Sequence, residues 1–198
     1  MLPAEAILFA SGNRHKYEEV VRIFSPLKLR ILFGPEVLEL DVEEDGNSYC
    51  SNARLKARAW ALASGIPALA DDSGVEARAL GWNPGIRSAR MAATDSGRVE
   101  WMLRSMEGKS DRVGRYVAAF ALFLPGEGFC ILTEGECWGT VTGSPRGKGG
   151  FGYDPVFVPR SQEGTFAEIP PGVKDKISHR AIAGYRMMDI LSRASMIK

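Results

Sequence analysis

Several residue types that would fix a class of function are scarce in this 198-residue chain. It has three cysteines (Cys50, Cys130 and Cys137) with no CxxC pair, and two histidines, so it offers no zinc framework. Few, unpaired thiols fit a reducing, cytoplasmic compartment. The net charge of +1 gives no field that would attract nucleic acid or an anionic membrane. No apolar run approaches the ~18 residues that a membrane span needs, and residues 1–10 lack the basic start of a signal peptide.

The order of the predicted elements indicates the fold. Apolar runs predict strands at residues 6–10, 29–33, 67–70, 115–124, 129–133, 134–142 and 156–158. Helical spacing and capping residues predict helices through 17–24, 48–64, 94–106 and 179–194. Strands and helices alternate in the first half, whereas the second half is rich in strands. We therefore expect one α/β domain over residues 1–198, with a mixed twisted sheet and flanking helices.

Apolar spacing also predicts which helix faces are buried. The predicted core positions are Tyr17, Val20, Val21 and Phe24 in the first helix and Ala181, Tyr185, Met188 and Leu191 in the last. In the second helix they are Tyr49, Ala53, Ala57, Trp60 and Ala61, and in the third Val99, Met102, Leu103 and Met106.

The most informative stretch is residues 67–74, where an apolar run leads into Asp71 and Asp72 and then Ser73 and Gly74. Ligands of open α/β sheets bind at the carboxyl ends of strands. Adjacent side chains of one strand point to opposite faces, so the two carboxylates should not share a role. The alternative is that Asp-Ser-Gly only forms a turn, and this stretch alone does not decide between the two.

Two regions near the N-terminus are candidates for phosphate and metal binding. Residues Ser11, Gly12 and Asn13 form a predicted turn before a helix that carries Lys16 in its first turn. Free N–H groups at a helix start and a lysine attract phosphate, although an ordinary capped helix would look the same and the P-loop pattern is absent. The acidic run 41–46 is either a solvated loop or a site for a hard cation such as Mg²⁺.

The glycine-rich loop at residues 145–155 is the second candidate site. Its glycines let the backbone approach a ligand, and Phe151 and Tyr153 offer aromatic faces to a base. Asp154 can accept hydrogen bonds from ring N–H groups. A glycine-rich loop with both aromatic side chains in the core is equally compatible with these residues.

The last predicted helix begins with an unfavourably placed cation. Ser178 is a good N-cap, which leaves His179 and Arg180 in the first turn, where the helix dipole disfavours positive charge. We interpret Arg180 as serving a ligand. The alternative for His179 is a surface or capping histidine.

Together these motifs resemble the inosine triphosphate pyrophosphatase family. The similarity covers nearly the whole chain and rests on SGNRHK at 11–16, the acidic pair at 43–44, ALADDSG at 68–74, PGIRSAR at 84–90, GGFGYDP at 149–155, TFAE at 165–168 and SHR at 178–180. The resemblance implies two lobes around a central nucleotide-binding cleft, usually in a homodimer. It also implies Mg²⁺-dependent hydrolysis of non-standard purine triphosphates (ITP, dITP and XTP) to the monophosphate and pyrophosphate.

The resemblance further implies roles for individual residues. Ser11, Gly12, Asn13 and Lys16 would hold the phosphates, with Lys56 as a further candidate and Ser73 beside the acidic pair. Glu44 and Asp72 would bind Mg²⁺, or Asp72 would orient the attacking water. Phe151 would stack on the base, and Gly152, Tyr153, Asp154, Lys174, Ser178, His179 and Arg180 would line or close its pocket. Asp175 and the segment Pro170–Pro171 depart from the usual family pattern around Lys174.

Donor placement predicts the base preference. Hypoxanthine and xanthine present an acceptor oxygen at C6, which matches the donors of His179 and Arg180, whereas adenine presents an amino group. Rival interpretations are a Maf-like pyrophosphatase of different base specificity, a non-catalytic nucleotide sensor, and a metal-dependent phosphatase that releases orthophosphate. The SHR and FGYDP motifs oppose the first, and the two pairs of carboxylates oppose the second.

Overall fold

The computed structural model describes residues 6–27 and 29–193. The strands are β1 (Ala6–Phe9), β2 (Arg30–Phe33), β3 (Ala68–Ala77), β4 (Asn83–Pro84), β5 (Val113–Leu124), β6 (Phe129–Val141) and β7 (Phe157–Pro159). The helices are α1 (Arg14–Phe24), α2 (Tyr49–Ser64), α3 (Asp95–Ser105), α4 (Pro171–Ile177) and α5 (His179–Arg193). Within these residues, no helix is both long enough and apolar enough to cross a bilayer. The predicted end of the last helix at Ala194, and residues 1–5 of the segment tested for a signal peptide, lie outside the described residues.

The sheet is mixed, as predicted. Its strands are hydrogen-bonded in the order β2-β1-β3-β5-β6-β7, with β4 paired to β3. β1 runs parallel to both β2 and β3, whereas β3–β4 and β6–β7 are antiparallel. The expected α/β class, a mixed sheet with flanking helices, is confirmed.

The chain divides into two compact units. Unit 1 comprises Met1–Asp72, Ala118–Gly135 and Arg180–Lys198. Its apolar core joins side chains of β1, α1, β5 and α5, including Phe9, Phe24, Phe120 and Met187. Gly184 of α5 allows close packing, because a Cβ at this position would lie 2.8 Å from Ile23 Cγ2.

Unit 2 comprises Ser73–Val117 and Glu136–His179. Its core is richer in aromatic side chains, with Tyr116 of β5, Phe157 of β7, Tyr153 and Phe166 packed with Met102 of α3. The Tyr116 ring meets Phe157 edge-on at 4.9 Å between centroids.

Helix ends follow the sequence closely. Asn13 caps α1 by accepting from the Lys16 N–H, and Ser48 caps α2 by accepting from the Ser51 N–H. Gly65 ends α2 in the left-handed conformation at φ 71°, as a glycine after a helix commonly does. Thr94 caps α3. These predicted boundaries are confirmed to within a residue or two.

Four local predictions are wrong. β3 continues through Asp71, Asp72, Ser73 and Gly74 to Ala77, so Asp-Ser-Gly forms no turn and the carboxylates lie inside the strand. Residues 129–141 form one strand rather than two. Residues 171–177 form a helix, α4, where no element was predicted.

The fourth error concerns helix faces. Val21 and Tyr185 are 38% and 40% exposed, whereas Ile23 and Met187 are buried in their place. Leu103 and Met188 are only partly buried. The apolar stripes are therefore rotated slightly from the predicted faces, since both helices offer more apolar residues than one face can bury.

Candidate active site

The adjacent carboxylates of β3 lie in different surroundings within unit 1. Asp71 is fully buried and bound by Arg180, whose Nε and Nη2 donate to Asp71 Oδ2 at 3.0 and 2.9 Å. Arg180 Nη1 donates to Glu19 Oε2, and Lys16 Nζ lies 3.1 Å from Asp71 Oδ1. Burial opposes ionisation of Asp71, but the nearby cations outweigh it and hold its pKa below the usual range. Asp71 is therefore a structural carboxylate.

Asp72 faces a more open, mixed environment. Asn52 Nδ2 donates to Asp72 Oδ2 at 3.0 Å, and Lys56 Nζ lies 4.0 Å from Asp72 Oδ1. The same ammonium lies 3.1 Å from Glu44 Oε2. Burial raises the pKa of Asp72 despite Lys56 and Lys16, with a smaller contribution from Glu44. A carboxylate with a raised pKa is better suited to accept a proton near neutral pH.

Lys16 and Lys56 both belong to this charged group. Burial lowers the pKa of Lys16, although the Asp71 carboxylate opposes the change. Lys56 is buried on α2 rather than exposed, together with Asn52 one turn earlier. Unit 1 thus brings together Lys16, Lys56, Glu44 and Asp72, which the sequence analysis had placed on separate segments.

A hard cation fits the Glu44–Asp72 region. The Oδ1 atom of Asn52 is buried and accepts no hydrogen bond, and a Cβ added at Gly46 would lie 2.5 Å from it. Two carboxylates and an amide oxygen are the ligand types that Mg²⁺ takes alongside water and phosphate. No set of three or more carboxylate, histidine or cysteine side chains is arranged for a metal among residues 6–27 and 29–193. The site therefore suits a cation that relies on other oxygen ligands.

The turn before α1 presents polar atoms at an exposed position. Ser11 Oγ accepts from the Asn13 N–H at 3.2 Å, and Asn13 Oδ1 accepts from the Lys16 N–H at 3.1 Å. A Cβ at Gly12 would meet no atom within 4 Å. Of the two residues that could cap this helix, Ser11 and Asn13, Asn13 is the one that caps α1, whereas phosphate binding by this turn stays a prediction.

In unit 2, Asp154 organises the glycine-rich loop. Its Oδ2 accepts from the Phe151 N–H at 2.9 Å and from the Lys174 ammonium. Gly150 has φ 68°, and a Cβ there would lie 2.1 Å from Asp154 Oδ2, so only glycine fits. Lys174 Nζ lies 4.8 Å from the centre of the Phe151 ring. The predicted pocket residues Phe151, Asp154 and Lys174 are thus in contact.

A cavity of about 490 Å³ adjoins the same loop. Its walls include Phe151 and Gly152 of the loop and Val99 and Leu103 of α3, with Asp95 and Glu100 also lining it. The walls are mainly apolar and include the Phe151 ring, so the cavity can accommodate an apolar or aromatic group.

Most of the other candidate residues of unit 2 are buried. Tyr153 is buried and donates its hydroxyl hydrogen to the Ser88 carbonyl at 2.8 Å, which matches the core alternative left open above. Ser178, which follows α4, and His179, which begins α5, are also buried. Ser73 lies within β3. Their roles toward a ligand stay predictions.

The position of Arg180 in the first turn of α5 has a different physical cause from the predicted one. Arg180 was predicted to bind a ligand, because the helix dipole disfavours a cation in the first turn of α5. Its described contacts are instead with Asp71 and Glu19, and these two carboxylates compensate its charge. A contact with the base stays a prediction.

Sequence reasoning missed several partners of these residues. Glu19 lies on the buried side of α1, about one helical turn after Lys16. Asn52 precedes Lys56 by four residues, so the sequence predicts that the two share a helix face, but it does not predict the hydrogen bond from Asn52 to Asp72. Tyr116 contacts both Asp154 and His179, which are far from it in the sequence, so no local pattern could have identified it.

The mixed sheet, the buried lysines and carboxylates, and the aromatic glycine-rich loop define an α/β protein equipped to bind an anionic ligand with an aromatic part. The chain belongs to the Ham1 family, whose sequence profile matches residues 7–190.

Individual relatives agree with this membership. The chain is 42% identical over 186 residues to a dITP/XTP pyrophosphatase of Thermosynechococcus vestitus, covering 94% of each chain. It is 44% identical over 188 residues to one of Rhodospirillum centenum, covering 90% of this chain and 91% of the relative. A HAM1 protein from Coxiella burnetii has a similar structure, with a TM-score of 0.85, 36% identity, and coverage of 95% of this chain and 98% of the other.

Proposed function

We propose that this protein hydrolyses non-standard purine nucleoside triphosphates (ITP, dITP and XTP) to the monophosphate and pyrophosphate. The observation that carries the proposal is the charged group of unit 1, where Lys16 and Lys56 lie beside Glu44 and Asp72. Membership of the Ham1 family and the relatives named dITP/XTP pyrophosphatase support it. The activity removes abnormal nucleotides from the nucleotide pool, and we assign it to one domain of 198 residues.

The cationic side chains neutralise the triphosphate. Phosphoryl transfer depends mainly on positioning and on stabilisation of charge, so lysines and helix-terminal N–H groups are the groups it needs. Lys16, held by Asp71, and Lys56, held by Glu44, are fixed before substrate arrives. Ser11, Gly12 and Asn13 add polar backbone groups at the start of α1, and Ser73 follows Asp72 on β3.

Asp72 is the catalytic residue of the proposal, and Glu44 is its partner in metal binding. Asp72 would accept a proton from the attacking water where it is not itself a metal ligand, since a bound cation would lower the pKa that burial raises. The cation assigned to the site is Mg²⁺, with Asp72 and Glu44 as ligands and the buried Asn52 Oδ1 as a third oxygen. When bound, Mg²⁺ supplies charge neutralisation at the phosphates and acidifies coordinated water.

Base recognition is assigned to the glycine-rich loop, to Lys174 and to the Ser178–His179–Arg180 motif. Phe151, which lines the apolar cavity together with Gly152, stacks on the base. Tyr153 follows Gly152 in the loop and supports it from the core, where its hydroxyl donates to the Ser88 carbonyl. Lys174, Asp154, Ser178, His179 and Arg180 supply polar groups. A 6-keto purine is preferred because donors of His179 and Arg180 match its acceptor oxygen and oppose the amino group of adenine.

We also propose that the enzyme is a cytoplasmic homodimer that uses neither nucleic acid nor membranes. The resemblance described above supports the homodimer, and the near-neutral net charge supports the absence of polyanionic partners. Light scattering coupled to gel filtration measures the oligomeric state, and a mass of one chain would contradict the dimer.

The direct experiment measures hydrolysis of ITP, dITP, XTP, ATP and GTP with Mg²⁺, with separate assays for pyrophosphate and orthophosphate. Pyrophosphate from ITP, dITP and XTP, with little product from ATP or GTP, is the expected result. Release of orthophosphate, or equal rates with every base, would contradict the proposal.

Metal dependence is tested with a matched pair of variants. Chelation should abolish hydrolysis, and added Mg²⁺ should restore it. Glu44→Gln should raise the Mg²⁺ concentration needed for half-maximal rate, because a charged oxygen ligand is lost. The control is Glu43→Gln, since the adjacent Glu43 side chain is exposed. An equal response of the two variants would contradict the ligand role of Glu44.

A further inference from the structure

Tyr116 occupies a central place in unit 2 that no sequence motif revealed. It lies on β5 and is 7% exposed. Its ring is stacked on the His179 imidazole, with centroids 4.5 Å apart and ring planes inclined by 17°. This is the geometry of a parallel stacked pair, so the ring of Tyr116 limits the orientations that His179 can adopt.

The Tyr116 side chain also contacts Asp154, another polar group of the proposed base pocket. The Tyr116 hydroxyl donates to Asp154 Oδ1 at 3.4 Å. Asp154 Oδ2 in turn accepts from the Phe151 N–H and from Lys174. Tyr116 therefore contacts both His179 and the carboxylate that holds the Phe151 loop and Lys174.

The position of Tyr116 is itself fixed by neighbouring aromatic rings. Phe157 meets the Tyr116 ring edge-on at 4.9 Å between centroids, and Phe166 lies 5.8 Å away in a tilted arrangement. Aromatic pairs at these separations are favourable beyond their buried area. The ring is thus a rigid support rather than a mobile contact.

We propose that Tyr116 is a positioning residue for base selection, which holds the His179 imidazole in the plane needed to meet the purine and supports Asp154 from the other side. This inference rests on the proposed function. It adds a residue that acts through His179 and Asp154 and does not itself touch the substrate.

The two contacts of Tyr116 differ in strength. A donor–acceptor distance of 3.4 Å is long for an O–H···O hydrogen bond, which is usually 2.5–3.0 Å (roughly). The stacked ring is therefore the main contribution. Tyr116→Phe should retain most of the function because the ring remains, whereas Tyr116→Leu and Tyr116→Met should not, because they fill the space without a ring.

The kinetic test compares kcat/KM for ITP and ATP in the parent and these three variants. A displacement of about 1 Å can cost about a hundredfold in rate, so Tyr116→Leu and Tyr116→Met should lower kcat/KM for ITP by about ten- to a hundredfold. The rate with ATP should fall much less, so the ITP-to-ATP ratio narrows. A purely structural loss would reduce both substrates in parallel.

A spectroscopic test reads the stack without any activity. The chain contains two histidines, so proton NMR shows only the imidazoles of His15 and His179, and His15→Gln assigns them. The Tyr116 ring current should displace the His179 signals. Tyr116→Phe should keep this displacement, and Tyr116→Leu should remove it while the His15 signals stay in place.

The outcomes separate this inference from the proposed function. An unchanged ratio of kcat/KM for ITP to that for ATP in folded Tyr116→Leu or Tyr116→Met would overturn the role given to Tyr116. A loss of selectivity in Tyr116→Phe as large as in the ringless variants would also overturn it. If neither ringless variant folds, the inference is still overturned by loss of selectivity in Tyr116→Phe or by His179 signals that show no ring-current displacement in the parent. If the parent releases no pyrophosphate from ITP, the proposed function fails and base selection by Tyr116 fails with it. If the parent is active and selective but Tyr116 variants keep its selectivity, only the inference on Tyr116 fails.

Discussion

At the scale of single residues, Asp71 and Asp72 show how one strand can serve two purposes. Their side chains leave β3 in opposite directions, so Asp71 meets Arg180 and Lys16, whereas Asp72 meets Asn52 and, more distantly, Lys56. Cations lower the pKa of Asp71 against the effect of burial, and burial raises that of Asp72. The two adjacent carboxylates thus have opposite pKa shifts, and the catalytic role proposed above is given to Asp72, whose pKa is raised.

Replacement of Asp72 should separate binding from chemistry. Asp72→Asn keeps the size of the side chain and removes the proton acceptor, so we expect kcat for ITP to fall by about 10²–10⁴-fold, the usual contribution of general acid–base groups. Calorimetry should show that ITP still binds. Asp45→Asn, on the exposed part of the acidic loop, is the control. Near-normal hydrolysis by Asp72→Asn would contradict the role given to this residue.

Phe151 should affect all substrates alike. A base stacked on an aromatic ring gains about 1–3 kcal/mol with little dependence on the base. Phe151→Ala should therefore raise KM by about five- to a hundredfold for ITP, dITP and XTP together, at about 1.4 kcal/mol for each factor of ten. Phe151→Tyr, which keeps a ring, is the matched control. A KM effect confined to one base would show that Phe151 does more than stack.

Residues of the candidate site could be predicted where the signal was local. Asn13 and Lys16 follow a strand and begin a helix, and the glycines beside Phe151 mark a loop with unusual backbone angles. The contact of Arg180 with Glu19 could not be predicted, since 161 positions separate the two residues. The sequence therefore predicted the chemical groups but not which of them neutralise one another.

At the scale of secondary structure, β3 shows why local turn chemistry can be overruled. Asp-Ser-Gly is compatible with a turn in isolation. In the folded chain, Ser88 Oγ accepts from the Val75 N–H at 3.0 Å, and Glu76 pairs with Pro84 of β4, so the strand continues. The sequence predicts two strands in place of β6, because the alternating exposed residues after Thr133 resemble the start of a new edge strand.

The packing of α1 and α5 depends on a buried charge, which gives a prediction for these elements. Removing one partner of a buried ion pair costs about 3–5 kcal/mol, because the remaining charge loses its compensation. Because Asp71 still compensates Arg180, Glu19→Ala should lower the free energy of unfolding by at most this amount, measured in urea at neutral pH. The adjacent Glu18 is exposed, so Glu18→Ala should change it by less than about 0.5 kcal/mol. Equal effects of the two variants would contradict a structural role for the Glu19–Arg180 pair.

At the scale of the whole molecule, the chain passes repeatedly between its two units. The boundaries fall after Asp72, Val117, Gly135 and His179, so each unit is assembled from separate segments. The α/β class could be predicted because it depends on the order of elements. The division could not, because two of its boundaries separate adjacent residues of one motif, Asp72 from Ser73 and His179 from Arg180. Only the resemblance to a family joined these distant motifs in advance.

One buried thiol should contribute measurably to the loss of stability at alkaline pH. Cys137 of β6 is buried, and burial raises its pKa from 9.0 to about 12. As pH rises above 9.0 the unfolded chain releases this proton while the folded protein retains it, so the stability contributed by the protonated thiol is progressively lost.

The loss can be isolated with one substitution. With a pKa of 9.0 for the Cys137 thiol in the unfolded chain, the loss in the free energy of unfolding should amount to about 1.4 kcal/mol between about pH 8 and about pH 10. Cys137→Ala should be less stable than the parent at about pH 7, because it leaves a small cavity. The difference between the two should then narrow by this amount as pH rises, since the variant has no proton to lose. Urea unfolding of both proteins at several pH values measures the narrowing. A difference that stays constant up to about pH 10 would mean that the Cys137 thiol ionises equally in the folded and unfolded chains.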